Sequence, residues 1–273
     1  MQWAPLTPQL IVVATDQRAW LHRPLAIGDP FDEPMTTSRA SVASTQKLLD
    51  GALAAARQSL PVPSGRPLTA LRWAWRLAFQ YHTSHATPRL LAEAAQRFGA
   101  MGRPGMAESC ERKRDEESGH DTLALRDLRA LGYREDNVVA ACQPPTAMAL
   151  IEYFESCVRS DEPVKLLGYS YALERSAMAI PAAYLDAVQA LMPEGVVATR
   201  CLRVHCAVGT DPRHVAEDIE LIATLPAAER AAIARSCYET AIIMHTVRDG
   251  DDPPEEALAQ ALEPLRTPLH TPA

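Results

Sequence analysis

Six residues in three separate stretches have the types and spacing to hold a metal ion. The stretch RDEESGHDTLALRDLRALGY, residues 114–133, carries Glu117 three residues before His120, with Glu116 as the alternative carboxylate four before it. Read as one helix from 105 to 131, it places His120 on the stripe formed by Leu123, Ala124, Leu128 and Leu131, with Glu117 one turn earlier on the same face. A buried carboxylate is costly unless paired or metal-bound, and Glu-x-x-His lets two side chains of one helix ligate one ion, as in carboxylate-bridged di-iron bundles. In KLLGYSYALERSAMAIP, 165–181, Glu174 falls among Leu167, Tyr171, Ala177 and Met178, again a carboxylate in an apolar stripe. In RVHCAVGTDPRHVAED, 203–218, His205, Asp211 and His214 lie within ten residues. Imidazole and carboxylate without thiolate suits iron or manganese better than structural zinc.

Each residue also has an ordinary reading. Glu116 and Glu117 can pair with Arg112, Lys113 or Arg114 on a solvent face, and Glu174 can sit at the edge of its stripe. His205 can be a core histidine, Asp211 a helix cap before Pro212, and His214 a first-turn residue. His82 and His85 read as the end of a helix, where the dipole favours them.

The elements that must position these residues read as helices. Helical periodicity runs near 42–59, 67–83, 88–101, 105–131, 145–160, 163–178, 181–192, 196–207, 211–224 and 226–248, with breakers such as PVPSG at 61–65, GRPG at 102–105 and MPEG at 192–195 between them. Pro67 suits a first turn, and Gly132 suits a C-cap. GVVATRCLRVHC, 195–206, is the one stretch whose β-branched residues could pass as a strand. The expected organisation is all-α: an irregular arm over 1–40, a single helical domain over 41–248, and an acidic, Pro-rich tail over 249–273 with one short helix.

Composition narrows the function. The 273 residues include 47% hydrophobic and 22% charged residues, and Gly is scarce at 12. The net charge of −7 and the lack of a long basic run argue against a nucleic-acid partner. The early apolar run LIVVA, 10–14, is far shorter than the ~18 residues of a membrane span and lacks the pattern of a signal peptide. Six cysteines without a C-x-x-C pair read as reduced thiols of a cytoplasmic protein.

The order Glu/His, then Glu, then His-Asp-His resembles the heme-oxygenase-like diiron oxidases, in a superfamily with thiaminase II and pyrroloquinoline-quinone synthase. His120 to Glu174 is 54 residues and Glu174 to His205 is 31, both close to the family spacing, and GYSYALE, 168–174, looks like the superfamily's Gly-x-x-Tyr-x-x-Glu helix. The resemblance covers roughly 42–248. It departs in one place: the family's His-x-x-x-Asp-x-x-His is here two residues longer, with Gly209 where the acid would be and Pro212 where the second His would be. A helix break at Gly209 would restore the geometry.

The resemblance implies a heme-oxygenase-like bundle of about seven core helices with additions. It implies an oxidoreductase in which Glu117, His120, Glu174, His205, Asp211 and His214 hold one or two Fe(II) ions. Such an enzyme would use O2 on a small organic substrate such as an amino acid or fatty acid derivative, with Tyr171 and Arg175 as candidates for facing it; a homodimer is the oligomer it allows. Two alternatives stand beside it. One is a thiaminase-II-like hydrolase on the same fold, using a Cys nucleophile and a buried Glu, with Cys201 and Cys206 nearest the candidate site. The other is a helical binding protein with no chemistry.

Overall fold

A computed structural model describes residues 1–36, 39–61, 65–206 and 211–267, with the backbone alone at Asp211. In chain order the elements are β1 (Gln2–Thr7), β2 (Leu10–Ala14), β3 (Ala19–His22), α1 (Val42–Ser59), α2 (Ala70–Ala100), α3 (Pro104–Glu117), α4 (Asp121–Ala130), α5 (Glu135–Ala141), α6 (Pro145–Arg159), α7 (Lys165–Ala177), α8 (Ala182–Gln189), α9 (Arg200–His205), α10 (Asp211–Thr224), α11 (Ala227–His245) and α12 (Glu255–Leu262). A short 3-10 turn, Glu263–Leu265, follows α12. The fold is predominantly helical, as expected. Among the described residues no helix is long and apolar enough to cross a membrane.

The chain divides into two compact units, where the sequence suggested one domain with an arm and a tail. The first comprises Met1–Pro63, Tyr153–Ala179 and Thr210–Thr246; the second comprises Ser64–Glu152, Ile180–Gly209 and Val247–Ala273.

In the first unit, the expected irregular arm is instead a three-stranded antiparallel sheet of order β1-β2-β3. Its strands are short, and Pro5 interrupts the pattern of β1. That proline is tolerated because β1 is an edge strand. The N-terminus is fixed by a buried polar chain: Arg230 Nε donates to Gln2 Oε1 at 2.7 Å, and Gln2 Nε2 donates to Ser44 Oγ at 2.9 Å. Ser41 caps α1, its hydroxyl accepting from Ser44 N–H. The core joins Val12 and Val13 of the sheet to Leu48, Leu49, Ala52 and Leu53 of α1 and to Ile233, Ala234 and Cys237 of α11, all buried.

The second unit is built on α2, which runs 31 residues through Pro88. The two helices expected at 67–83 and 88–101 are therefore one. A proline inside a helix removes a donor and ordinarily ends it. Here the helix continues, because residues on both sides of the proline, Ala86, Leu90, Leu91 and Ala94 among them, are buried along it. His82 and His85 thus lie mid-helix and not at an end. Pro67 lies before the helix, which Thr69 caps by accepting from Arg72 N–H at 3.1 Å. Gly132 ends α4 with φ +83°, its N–H on Arg129 O and Tyr133 N–H on Leu128 O, the expected glycine cap. The ambiguous stretch 195–206 contains the short helix α9. The tail is tied in as far as Thr267: α12 buries Leu258 and Leu262 in the core around Trp73 and Leu77, and Tyr133 forms a β-bridge with Arg266.

Candidate metal centre

The predicted helix over 105–131 breaks at the residues that matter most. α3 ends at Glu117, and Gly119 adopts φ +90°, a left-handed conformation that glycine takes without strain. The chain reverses there, with His120 N–H on Glu117 O at 3.2 Å and Thr122 Oγ1 on Gly119 O at 2.7 Å. Ser118 Oγ satisfies one orphan carbonyl of the last turn, Arg114 O, at 2.7 Å. His120 then stands at the N-cap of α4 without a capping bond from its side chain. Glu117 and His120 meet as expected, but across a turn and not along one helix face: His120 Nδ1 lies 2.8 Å from Glu117 Oε2.

His205, the last residue of α9, joins them. Its ring meets that of His120 edge to face, centroids 5.1 Å apart at 82°. One ligand atom from each of Glu117, His120 and His205 lies within 4.8 Å of the others. The Glu117 and His120 side chains are only 11% and 15% exposed. Glu116 is half-buried outside this group, and the carboxylate within it is that of Glu117. Asp115 pairs with Arg114 of the basic run. Donors on one ion with bonds of about 2.0–2.2 Å lie roughly 2.8–3.6 Å apart at tetrahedral or neighbouring octahedral positions. The three residues are close enough for their side chains to close on one metal.

A carboxylate that the sequence reading passed over holds this arrangement. Asp127, fully buried in α4, receives Arg200 NH1 on one oxygen at 2.9 Å and Cys201 N–H on the other at 3.0 Å. It ties the helix that begins at His120 to the N-terminus of the helix that ends at His205. Burial holds its carboxyl above the usual carboxylate range despite those bonds. The signal was available: Asp127 shares a helix face with Leu123, Ala124 and Leu131, the same anomaly that singles out Glu174. Asp127→Asn turns an NH2 group toward one of two donors. It should destabilise the chain by about 1–3 kcal/mol and weaken metal binding as well. Thermal unfolding and metal titration of the same variant check both.

The remaining candidates lie in the first unit. Glu174 of α7 and His214 of α10 approach each other, Oε1 to Nδ1, at 3.8 Å, with side chains 12% and 1% exposed. Ser170 Oγ also reaches Glu174 Oε1 at 3.2 Å. Asp211 begins α10 as predicted, and Pro212 follows in its first turn. The Asp211 side chain and the break expected at Gly209 lie outside the described residues. Tyr171 and Arg175, the candidates for facing substrate, are both committed to Asp50: Tyr171 OH donates to its Oδ1 at 2.9 Å and Arg175 Nε at 3.0 Å. Tyr171 is fully buried. This pair secures α7 to α1.

No family model matches the sequence, and no curated protein does. Solved structures do. The chain is similar to a domain of unknown function with a heme oxygenase-like fold from Shewanella denitrificans OS217, at 19% identity and a TM-score of 0.53, over 74% of this chain and 85% of that one. It is similar also to a TenA homolog from Pseudomonas syringae pv. tomato str. DC3000, at 16% identity and a TM-score of 0.54, over 77% of this chain and 96% of that one. With its helical architecture, this places the chain in the heme-oxygenase-like fold.

Proposed function

We propose that the chain is a non-heme-iron oxidoreductase that uses O2 on a small organic substrate, such as an amino acid or fatty acid derivative, in the cytoplasm. One observation carries the reading: Glu117, His120 and His205 converge as two imidazoles and one carboxylate. That donor set, with coordination positions left over, is characteristic of Fe(II) sites that activate dioxygen. Glu174, Asp211 and His214 are the second ligand group, for a second ion.

Bound to these residues, Fe(II) would supply electrons to dioxygen. The protein's own contribution is positional. Gly119 turns the chain so that Glu117 and His120 face one another, and Asp127 sets the start of α9. Low exposure of the ligands keeps bulk water off the site. Without a metal, the Glu117–His120 hydrogen bond occupies the donor atoms.

The second reading is a cysteine hydrolase of thiaminase-II type, favoured by the likeness to a TenA homolog. The cysteines weigh against it. All six are buried. Burial, then the charges of Asp127, Glu117 and Asp121, push the Cys201 thiol far above its usual range, and a nucleophilic cysteine needs the opposite environment.

The test is metal uptake. The chain is purified without oxygen, given Fe(II), and assayed for iron per chain by elemental analysis, then for O2 consumption before and after thiol alkylation. Iron near two per chain supports both ligand groups, and iron near one supports the histidine pair with Glu117 alone. Alkylation should leave iron-dependent O2 uptake largely intact. Iron near zero, or O2 uptake abolished by alkylation, overturns the proposal.

A further inference from the structure

A cleft of about 490 Å3 opens in the second unit, within the range of small-molecule sites. Its wall includes Ser118 and Gly119, the two residues between the ligands Glu117 and His120. A Cβ at Gly119 would meet nothing within 4 Å, so the backbone of this turn faces open space. Cleft and metal ligands thus share one turn.

The polar side of the cleft carries a prepared imidazole. His85 Nδ1 and Asp121 Oδ2 lie 2.7 Å apart, and Asp121 Oδ1 is occupied by Thr122 N–H at 2.8 Å. The His85 ring also stacks on Tyr81, centroids 5.1 Å apart at 15°. With Nδ1–H donated to the carboxylate, Nε2 is left for a ligand, and in the imidazolium form it donates to an anion. With its side chain 63% exposed, the His85–Asp121 pair is of a kind that contributes little to stability. Arg89, one turn further along α2, adds a guanidinium that can only donate. Ala86, Met148 and Ile151 add apolar lining to the same cleft.

We propose that this cleft binds a small molecule with an anionic end and an apolar body. His85 and Arg89 hold the anionic end, and Ala86, Met148 and Ile151 hold the body. In its role as the substrate site the cleft rests on the iron-oxidase reading; as a binding site it stands alone.

Hexanoate, hexanol and hexylamine, which share one apolar body, are titrated into the metal-free full chain and followed by ligand-observed NMR. Hexanoate should bind at least ~5-fold more tightly than hexylamine, and His85→Ala and Arg89→Ala should each weaken it by ~5-fold, the scale of one charge-assisted hydrogen bond. The His85→Ala melting temperature should stay at the parent value. Equal binding of the three probes, absence of hexanoate binding, or parent-like binding by both variants overturns the proposal. Iron uptake by the same samples separates the two ideas. Hexanoate binding without iron uptake ends the oxidase reading and keeps the cleft; iron uptake without hexanoate binding does the reverse.

Discussion

The His205→Ala chain should bind Fe(II) at least ~100-fold more weakly than the parent while keeping its helical circular dichroism. Even loss of a residue that only orients a ligand typically lowers metal affinity 10–100-fold, and in the proposed site His205 supplies a ligand atom itself. The same loss is expected for His120→Ala. That substitution does not uncap α4, because the His120 side chain makes no capping bond. Glu117→Gln should also weaken binding, since it removes the negative charge that offsets the cation while preserving shape. Glu116→Gln, one residue away but outside the group, should bind iron like the parent. Anaerobic competition against a chromophoric chelator measures all four. Parent-like affinity in the two histidine variants would end the metal reading, since no folding defect can mimic retained binding.

The sequence made the ligand residues visible through chemistry and the breaks between elements visible only in part. Glu117 and His120 stood out because charge and imidazole sat on an apolar stripe, and they do meet. The continuous helix inferred from that stripe was wrong. Periodicity spans a break when the residues after a glycine turn happen to keep phase, and Gly119 sits in that position. At Pro88 the error ran the other way. A proline lowers the odds of a helix continuing, but tertiary packing decides whether it does, and α2 buries Ala86, Leu90, Leu91 and Ala94 on either side of Pro88. The sheet over 2–22 was missed because its strands are four to six residues long and one contains Pro5. Short strands are specified by their partners more than by their own pattern. The His85–Asp121 pair escaped for a similar reason: its members lie 36 positions apart, which no local window contains.

Gly168→Ala should be among the most damaging single substitutions in the chain, although it adds one methyl group to a helix. Alanine is ordinarily the better helix former by about 1 kcal/mol, so local propensity predicts a gain. Packing reverses the sign. At Gly168 the backbones of α7 and α11 approach so closely that a Cβ would lie 2.2 Å from Ile233 O, 2.7 Å from Cys237 N and 2.9 Å from Ser236 Cβ. The first two are backbone atoms of a neighbouring helix and cannot swing aside as a side chain would. Overpacking a dense core costs about 1–3 kcal/mol and occasionally more. A clash with main chain belongs at or above the upper end, about 3 kcal/mol, which lowers the melting temperature by roughly 6–12 °C for a chain of this size. Separating α7 from α11 also displaces Glu174, which rides on α7 six residues further on, so its approach to His214 should be lost along with stability. Gly105→Ala is the internal control, since its Cβ would meet nothing within 4 Å and it lies inside α3. It should leave the melting temperature unchanged or slightly raised. Thermal unfolding followed by circular dichroism reads both, and a Gly168→Ala chain that melts within a degree of Gly105→Ala would show that the close approach of α7 and α11 is not what this glycine serves.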